Sequence, residues 1–267
     1  MTTTRQSKRG IVRTDLLERF GSKKSRSSLA EGGQGTPLAI RLAFFLYLAI
    51  LLTSSVDHPV WGQSTGTLRI YLARHGQTDW NVEHRQQGGT DTPLNATGRQ
   101  QAANLAERLK GVHLDAVYSS TLSRSRETAE IVHGEVPLQS LAGLSERPVG
   151  KFEGKRTDGS DPATAQEFQK RRWDPQDELD GGESLNQFFE RVRATIGTIR
   201  SQHSSGAILI VGHGGTNQMI LRALFGLTAE QANSIEQAND ELYLIELDAG
   251  NPPRLWKMIT EANLGDL

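Results

Sequence analysis

The sequence predicts an α/β fold, a three-layer α/β/α sandwich in which helices cover both faces of a mostly parallel central sheet. The main observation is that short apolar segments, typical of strands, alternate with longer segments whose apolar residues recur at helical spacing. The second is the composition: of 267 residues, 36% are hydrophobic and 23% are charged, as in an ordinary soluble globular protein. We expect this domain to span residues 67–267 and residues 1–66 to lie outside it.

The first half of the domain begins with a strand at Leu68–Ala73, where apolar residues alternate with Arg69 and Tyr71. A helix follows at Thr97–Lys110, because apolar residues line one face of it, and Gly111 ends it. The next predicted elements are a strand, a helix and a short strand, at Ala116–Ser119, Leu122–His133 and Leu138–Leu141.

The second half begins with a helix at Ala163–Trp173, which Pro175 ends. The strongest helical pattern is Ser184–Arg200, where Ser184 and Gln187 form a capping-box signature before a long apolar face. Glycines bound the apolar run Ala207–Val211, which predicts a buried strand. One helix and two strands complete the pattern: Thr216–Phe225, Glu241–Leu247 and Arg254–Ile259.

The N-terminal head differs from the rest. Residues 1–41 carry nine Lys/Arg and three Asp/Glu and are rich in Ser, Thr and Gly, so we expect no packed core there. Leu42–Leu52 is almost wholly apolar and follows Arg41. A membrane span needs about 20 residues, so this run better resembles the apolar centre of a signal peptide. Cleavage after Gly62 would release an exported protein. An uncleaved membrane anchor and a cytoplasmic protein with a disordered head are the alternatives.

Charge and cysteine content limit the classes of function. The whole chain has a net charge of -1 and the head contributes +6, which leaves the body near -7. An acidic body argues against a nucleic-acid partner. The chain has no cysteine, which excludes disulfides and cysteine metal sites. Five histidines show no ligand spacing, so we expect them to be structural or to lie at the surface: His58, His84, His113, His133 and His203.

Polar residues follow three of the predicted strands at the point where each ends. Arg74 and His75 follow the first, Arg124 and Arg126 come after the second, and His213 lies between glycines after the third. The carboxyl ends of parallel strands meet at one edge of a sheet, so we expect these side chains to converge. Arginines, histidines and helix N-terminal amides together form a site for a tetrahedral dianion.

The motifs resemble, in order, those of the histidine phosphatase superfamily, which includes phosphatases and bisphosphoglycerate-dependent phosphoglycerate mutases. The matching segments are RHGQTDWN (Arg74–Asn81), QGGTDTPLNATGRQQA, SSTLSRSRETA, LSERPVGKFEG (Leu144–Gly154), GGES (Gly181–Ser184) and VGHGG (Val211–Gly215). The resemblance covers residues 67–250 and implies a phosphoglycerate mutase-like fold.

The resemblance also implies roles for single residues. His75 would be the nucleophile that becomes phosphohistidine, and Glu146 would donate a proton to the leaving alcohol. Three residues would bind the phosphate: Arg74, Arg124 (rather than Arg126) and His213. Three others match positions that line the substrate pocket in relatives: Asn81, Gln87 and Gly88. Glu153 is a rival to Glu146 that the motif position disfavours, and we expect Glu183 at the start of the long helix, near its positive end.

The resemblance favours a phosphomonoester hydrolase that needs no metal and no cofactor and acts on a small phosphorylated metabolite. Family mutases have a longer insertion before the helix that matches Ser184–Arg200; here that segment is short, and RHGQT and GGES resemble phosphatases. The mutase alternative is supported by three consecutive cations that could bind a second anionic group: Lys170, Arg171 and Arg172. A non-enzymatic phosphate-binding module is a third hypothesis, and the complete set of pocket residues argues against it.

Overall fold

The computed structural model describes residues 66–258, and these are built around a six-stranded sheet. The strands are β1 (Leu68–Arg74), β2 (Ala116–Ser119), β3 (Leu138–Ser140), β4 (Gly206–Gly212), β5 (Leu242–Leu247) and β6 (Arg254–Met258). Residues 1–65, with the apolar run Leu42–Leu52, and residues 259–267 lie outside the described part. The predictions for the head, including its boundary with the domain, therefore stay predictions.

The sheet has the order β3-β2-β4-β1-β5-β6. Strands β3, β2, β4 and β1 are parallel, whereas β5 is antiparallel to β1 and β6 is antiparallel to β5. The mostly parallel sheet is thus confirmed. Because β1, β2 and β4 are neighbours and parallel, the residues that follow them emerge at the same edge.

Seven helices connect these strands in the part of the chain from Gly66 to Met258: α1 (Asp79–Val82), α2 (Ala96–Leu109), α3 (Ser123–His133), α4 (Pro162–Arg171), α5 (Leu185–Gln202), α6 (Gly214–Phe225) and α7 (Ala229–Asn233). Five of them begin and end within two residues of the predicted positions. The sequence pattern missed α1 and α7, which have four and five residues and are too short to show a helical period. No helix in this range is long and apolar enough to cross a membrane.

Helices cover both faces of the sheet, which confirms the three-layer sandwich. On one face, α5 and α6 bury a stripe against the strands, which includes Phe188, Val192, Ile196, Met219 and Leu224. On the other face, α2 and α3 do the same with Leu105, Leu109 and Ala129. The predicted capping box of α5 is present, since Ser184 and Gln187 accept each other's backbone N–H groups.

Two close contacts orient the segment that follows β1. A Cβ atom on Gly76 would lie 2.3 Å from the carbonyl oxygen of Gly98, and one on Gly98 would lie 2.1 Å from the carbonyl oxygen of Gln77. The backbone after β1 therefore packs directly on the first turn of α2. Farther along, Asp91 caps α3 from a distance, because its Oδ1 accepts hydrogen bonds from the N–H and hydroxyl of Ser123, both at 2.7 Å.

Candidate active site

A cleft of about 720 Å³ opens at the carboxyl end of β1. Arg74 and His75 line it from β1, Arg124 from α3 and Glu146 from the segment before α4. Three other predicted positions also line it: Asn81, Gln87 and Gly88. The convergence of side chains from separate strand ends follows from the parallel order of the sheet.

His75 is held in one tautomer. Its backbone N–H donates to the carbonyl of Gly212 at 3.0 Å, and its Nδ1 lies 2.7 Å from the carbonyl oxygen of Gly76. Because a carbonyl can only accept, Nδ1 carries the proton and Nε2 keeps its lone pair. The side chain is buried, and this burial, followed by the charges of Arg124 and Arg74, holds the pKa of His75 well below its usual value. His75 is therefore a neutral base with an available nitrogen.

Arg124 is completely buried and makes three hydrogen bonds. Its Nε donates to Nδ1 of His213 at 3.2 Å, and its two terminal nitrogens donate to the carbonyls of Thr90 at 2.8 Å and Gly88 at 2.9 Å. Burial lowers its pKa to about 10, opposed by the charge of Glu146. Arg126, the alternative, lies on the surface, where it pairs with Glu130 at 3.4 Å.

Arg74 lines the cleft and has one unsatisfied donor. One terminal nitrogen donates to the carbonyl oxygen of Gln237 at 2.9 Å, whereas the buried Nε has no hydrogen-bond partner within residues 66–258. Burial lowers the pKa of Arg74, and the charge of Glu146 partly opposes this. A buried N–H without an acceptor is costly, and an anion in the cleft would supply one.

His213 lies behind Arg124, with its ring centre 5.1 Å from that of His75. Its Nδ1 accepts from Arg124, so its Nε2 carries the proton and donates to the hydroxyl of Ser120 at 2.7 Å. Burial, then the charges of Arg124 and His75, holds its pKa well below the usual value. Both ring nitrogens thus have protein partners, and a direct contact of His213 with phosphate stays a prediction.

The two candidate carboxylates have different surroundings. Glu146 accepts from the backbone N–H of Arg147 at 2.9 Å and from that of Gly215, in the first turn of α6, at 3.0 Å. It reaches the cleft wall, whereas Glu153 holds together two loops by accepting from the N–H groups of Gly89 and Val149 and from the hydroxyl of Thr90. Of the two, Glu146 is thus the carboxylate that lines the cleft, and its role as the proton donor stays a prediction.

Comparison with known proteins decides the family. The family model of the histidine phosphatase superfamily (branch 1) matches residues 70–258. The chain belongs to this superfamily. It is 35% identical to phosphoglycerate mutase-like protein 4 of Arabidopsis thaliana over 175 residues, which are 63% of this chain and 74% of that protein.

Two solved phosphatases have the same fold as this histidine phosphatase domain. A mycobacterial glucosyl-3-phosphoglycerate phosphatase has a TM-score of 0.64 at 26% identity, over 72% of this chain and 100% of that chain. The alpha-ribazole phosphatase of Shigella flexneri has a TM-score of 0.62 at 28% identity, over 71% of this chain and 95% of that chain. The resemblance stated from the motifs is thus confirmed.

The three pocket positions of the histidine phosphatase motif serve the structure as well as the cleft. The side chain of Asn81 completes the capping box of α1 by accepting from the N–H of Thr78 at 3.0 Å. The amide oxygen of Gln87 accepts from the hydroxyls of Thr78, at 3.0 Å, and Thr92, which fixes its orientation. Gly88 has a φ of 51°, which glycine adopts readily, and turns its carbonyl toward Arg124.

Three residues that the sequence reasoning missed hold the end of β1 in place. Asn239 donates to the carbonyl of His75 at 2.7 Å, and Gln237 donates to that of Leu72 at 2.9 Å. The buried Asn217 donates to the amide oxygen of Gln237 at 2.7 Å. These residues belong to no motif, and their polar side chains gave no periodic signal, so the sequence offered no way to assign them.

The outer cleft of the histidine phosphatase domain is lined by aromatic side chains and one available cation. The guanidinium carbon of Arg172 lies 4.1 Å from the ring centre of Trp173 and 5.0 Å from that of Phe168, and burial lowers the pKa of Arg172. Its side chain makes no hydrogen bond or ion pair with the described residues. In contrast, Arg171 pairs with Asp177 and Asp180, at 2.7 and 2.9 Å. Lys170 is exposed.

The described residues contain no group of three or more His, Asp or Glu side chains arranged to hold a metal ion. Positive charge at the floor of the cleft instead comes from Arg74 and Arg124. The arrangement as a whole suits a phosphate group: two guanidinium groups, the first turn of α6 and a neutral histidine face one space.

Proposed function

We propose that this chain is a phosphomonoester hydrolase that acts on a small phosphorylated metabolite through a phosphohistidine at His75. The observation that supports this most directly is the state of His75, which is buried and neutral, with Nδ1 donating to Gly76 and Nε2 left for attack. The unpaired Nε of Arg74 beside it is a donor that a phosphate oxygen would satisfy.

In the first step, Nε2 of His75 attacks the phosphorus and the bond between phosphorus and the alcohol oxygen breaks. Glu146, in its acid form, gives its proton to the departing oxygen, so that a neutral alcohol leaves. Arg74 and Arg124 neutralise the charge on the phosphoryl oxygens in the transition state. His213 keeps Arg124 oriented by accepting from its Nε.

In the second step, the Glu146 carboxylate takes a proton from a water molecule as the water oxygen attacks phosphorus. The bond between Nε2 and phosphorus breaks, inorganic phosphate leaves, and both His75 and Glu146 return to their starting states. We propose that the protein supplies the charge for both steps without a metal or other cofactor. The names of the two structural relatives, both phosphatases of small phosphorylated compounds, support this reaction class.

A mutase acting on phosphoglycerate is the second candidate, and Arg172 is the observation in its favour. A half-buried guanidinium without a partner among residues 66–258 would bind a carboxylate or second phosphate at the mouth of the cleft. The name of the plant relative agrees with this candidate. The same contact would also suit a phosphatase whose substrate carries a second anionic group.

The test is phosphate release by the full chain from a panel of phosphomonoesters that includes 3-phosphoglycerate. In the His75→Ala variant the rate of phosphate release should fall by about 10³-fold or more, because the nucleophile is absent. The exposed His113 provides the matched control, and His113→Ala should leave the rate unchanged. Acid-labile phosphate on the quenched native protein should be absent from His75→Ala.

Other outcomes would replace this proposal. Interconversion of 3-phosphoglycerate and 2-phosphoglycerate without release of phosphate would make the protein a mutase. Phosphate binding without turnover of any ester would make it a binding module. Release that survives in His75→Ala would contradict the phosphohistidine route.

We further propose that Leu42–Leu52 directs the chain out of the cytoplasm, as a cleaved signal or as an anchor, and that any membrane contact is made through this run. Cell fractionation and N-terminal sequencing test this. A soluble exported protein that begins at Gln63 indicates cleavage, and a full-length protein in the membrane fraction indicates an anchor. A full-length cytoplasmic protein would refute the proposal.

A further inference from the structure

We propose that Arg191, together with Glu183, is a positioning residue that aims the Glu146 carboxyl at the leaving-group oxygen. This inference rests on the proposed function, because it takes Glu146 as the proton donor. Neither Arg191 nor Glu183 lines the substrate cleft. They would therefore act on the reaction without touching the substrate.

Arg191 joins α5 to the segment before Glu146. Its Nε and one terminal nitrogen bind the two carboxylate oxygens of Glu183 at 2.9 and 2.6 Å. Its other terminal nitrogen donates to the carbonyls of Gly143 at 3.1 Å and Ser145 at 3.0 Å. These carbonyls lie at the end of a short 3₁₀ helix, where backbone acceptors lack helical partners. Arg191 thus holds the residue immediately before Glu146.

The residue after Glu146 is Arg147, and it is also attached to Glu183. Arg147 is buried, and its Nε donates to the carbonyl of Glu183 at 2.7 Å. Its backbone N–H donates to the Glu146 carboxylate at 2.9 Å. Glu183 therefore binds the chain on both sides of Glu146, through its carboxylate and Arg191 on one side and through its carbonyl and Arg147 on the other.

This double attachment matters because a general acid must lie within hydrogen-bond reach of the oxygen that it protonates. A displacement of about 1 Å can reduce the rate about 100-fold, even when the altered residue is away from the reacting atoms. A lysine at position 191 would keep the charge but could not bind two carboxylate oxygens and two carbonyls together. The change would loosen Glu146 and leave the phosphate-binding floor intact.

Arg193 provides a matched control, two residues farther along the same helix. It pairs with Glu190, one turn away, and both side chains are exposed. It touches neither the segment 142–147 nor Glu183 in any hydrogen bond of the described structure. An arginine-to-lysine change there tests the general effect of the substitution on α5.

The experiment compares two esters with the full chain. p-Nitrophenyl phosphate has a leaving group that departs as a stable anion, whereas glycerol 3-phosphate needs a proton on its leaving oxygen. Arg191→Lys should lower kcat/KM, which reports the step that phosphorylates His75, by about 10-fold or more for glycerol 3-phosphate and by less than about threefold for p-nitrophenyl phosphate. Arg193→Lys should change neither. Glu183→Gln should show the same selectivity as Arg191→Lys, which gives a second test if one variant folds poorly.

The combined variant Glu146→Gln with Arg191→Lys decides whether the two residues act as a unit. Its rate on glycerol 3-phosphate should equal that of Glu146→Gln alone, because Arg191 acts through a carboxyl that is already absent. The inference would be overturned if the losses of the two single variants multiplied, or if Arg191→Lys lowered kcat/KM equally for both esters.

The same measurements separate a failure of this inference from a failure of the proposed function. If Glu146→Gln discriminates between the esters and Arg191→Lys does not, only the positioning role is refuted. If Glu146→Gln itself lowers kcat/KM equally for both esters, Glu146 is not the proton donor. That result would refute both the assignment of Glu146 as the acid and the positioning role of Arg191.

Discussion

The floor and the mouth of the cleft are held in different ways. At the floor, Arg74, His75 and Arg124 are bound to backbone carbonyls around the carboxyl ends of the parallel strands. At the mouth, Arg172 and Trp173 lie just after α4, on a connecting segment, and Arg172 makes ring contacts without a hydrogen bond to any described residue. Under the proposed function, the difference teaches that the residues for phosphate chemistry and those for substrate choice are held by separate parts of the fold, so that one set can change without the other.

The strongest test of this comparison is Arg124→Lys at the floor. A lysine cannot reach His213 and the carbonyls of Gly88 and Thr90 together, so buried acceptors lose their donors. We expect kcat/KM to fall by about 10²–10³-fold, as when one transition-state donor is removed. The free energy of unfolding should fall by about 3 kcal/mol, measured by urea denaturation.

Arg126→Lys is the control for that variant, because Arg126 lies on the same helix and pairs with Glu130 at the surface. Its free energy of unfolding should stay within about 0.5 kcal/mol of the native value, and its kcat/KM should not change. Equal effects of the two variants would show that the floor is no more constrained than the surface.

The second test uses pH and concerns the two buried histidines at the floor. Burial holds the pKa values of His75 and His213 well below the ordinary 6.5, so the unfolded chain takes up their protons first as pH falls. Their contribution to stability is complete above pH 6.5 and is lost as the pH falls toward the folded pKa values. The free energy of unfolding should drop by about 1.4 kcal/mol per pH unit for each histidine.

Urea denaturation between pH 7.5 and pH 5 measures this slope. His213→Asn should remove about half of it, since one of the two protonation sites of the unfolded chain is then absent. A slope that is the same in this variant and in the native protein would mean that groups other than the floor histidines set the acid stability.

The smallest expected effect is at the mouth and compares neighbouring arginines. Arg172→Ala should raise KM about 10-fold for 3-phosphoglycerate, which carries a second anionic group, and leave KM for p-nitrophenyl phosphate unchanged. Arg171→Ala should leave both KM values unchanged and lower the thermal midpoint, because Arg171 ties Asp177 and Asp180 to α4. A rise in KM for both esters in Arg172→Ala would place Arg172 in the floor instead.

The convergence of the floor residues could be predicted, because a strand pattern followed by Arg-His or Gly-His-Gly is a local signal and the parallel sheet brings such signals together. The roles of these residues stay predictions. Glu146 was chosen over Glu153 by its motif position, and the structure places Glu146 in the cleft wall, whereas its role as the acid stays a prediction. The side chains that hold the floor residues in place could not be predicted from the sequence. Gln237 and Asn239 lie more than 160 residues from Leu72 and His75, whose carbonyls they bind, and no periodicity connects them.

Glu183 illustrates the same limit. The sequence placed Glu183 at the start of the long helix, and in the structure it directly precedes the N-cap residue Ser184. Its pairing with Arg191 was not foreseen, because residues eight positions apart across a helix start have no fixed geometry in the sequence. Local rules predict where an element begins, whereas the partners of a buried side chain depend on how the elements pack.

The contact between Gly76 and Gly98 limits which sequences this domain can adopt. Any side chain at position 98 would meet the carbonyl of Gln77, although Gly98 lies on α2 and does not line the cleft. In a saturation library selected for activity, only glycine should remain at position 98, as at position 76. Engineers who vary the mouth for new substrates can treat these two positions as fixed.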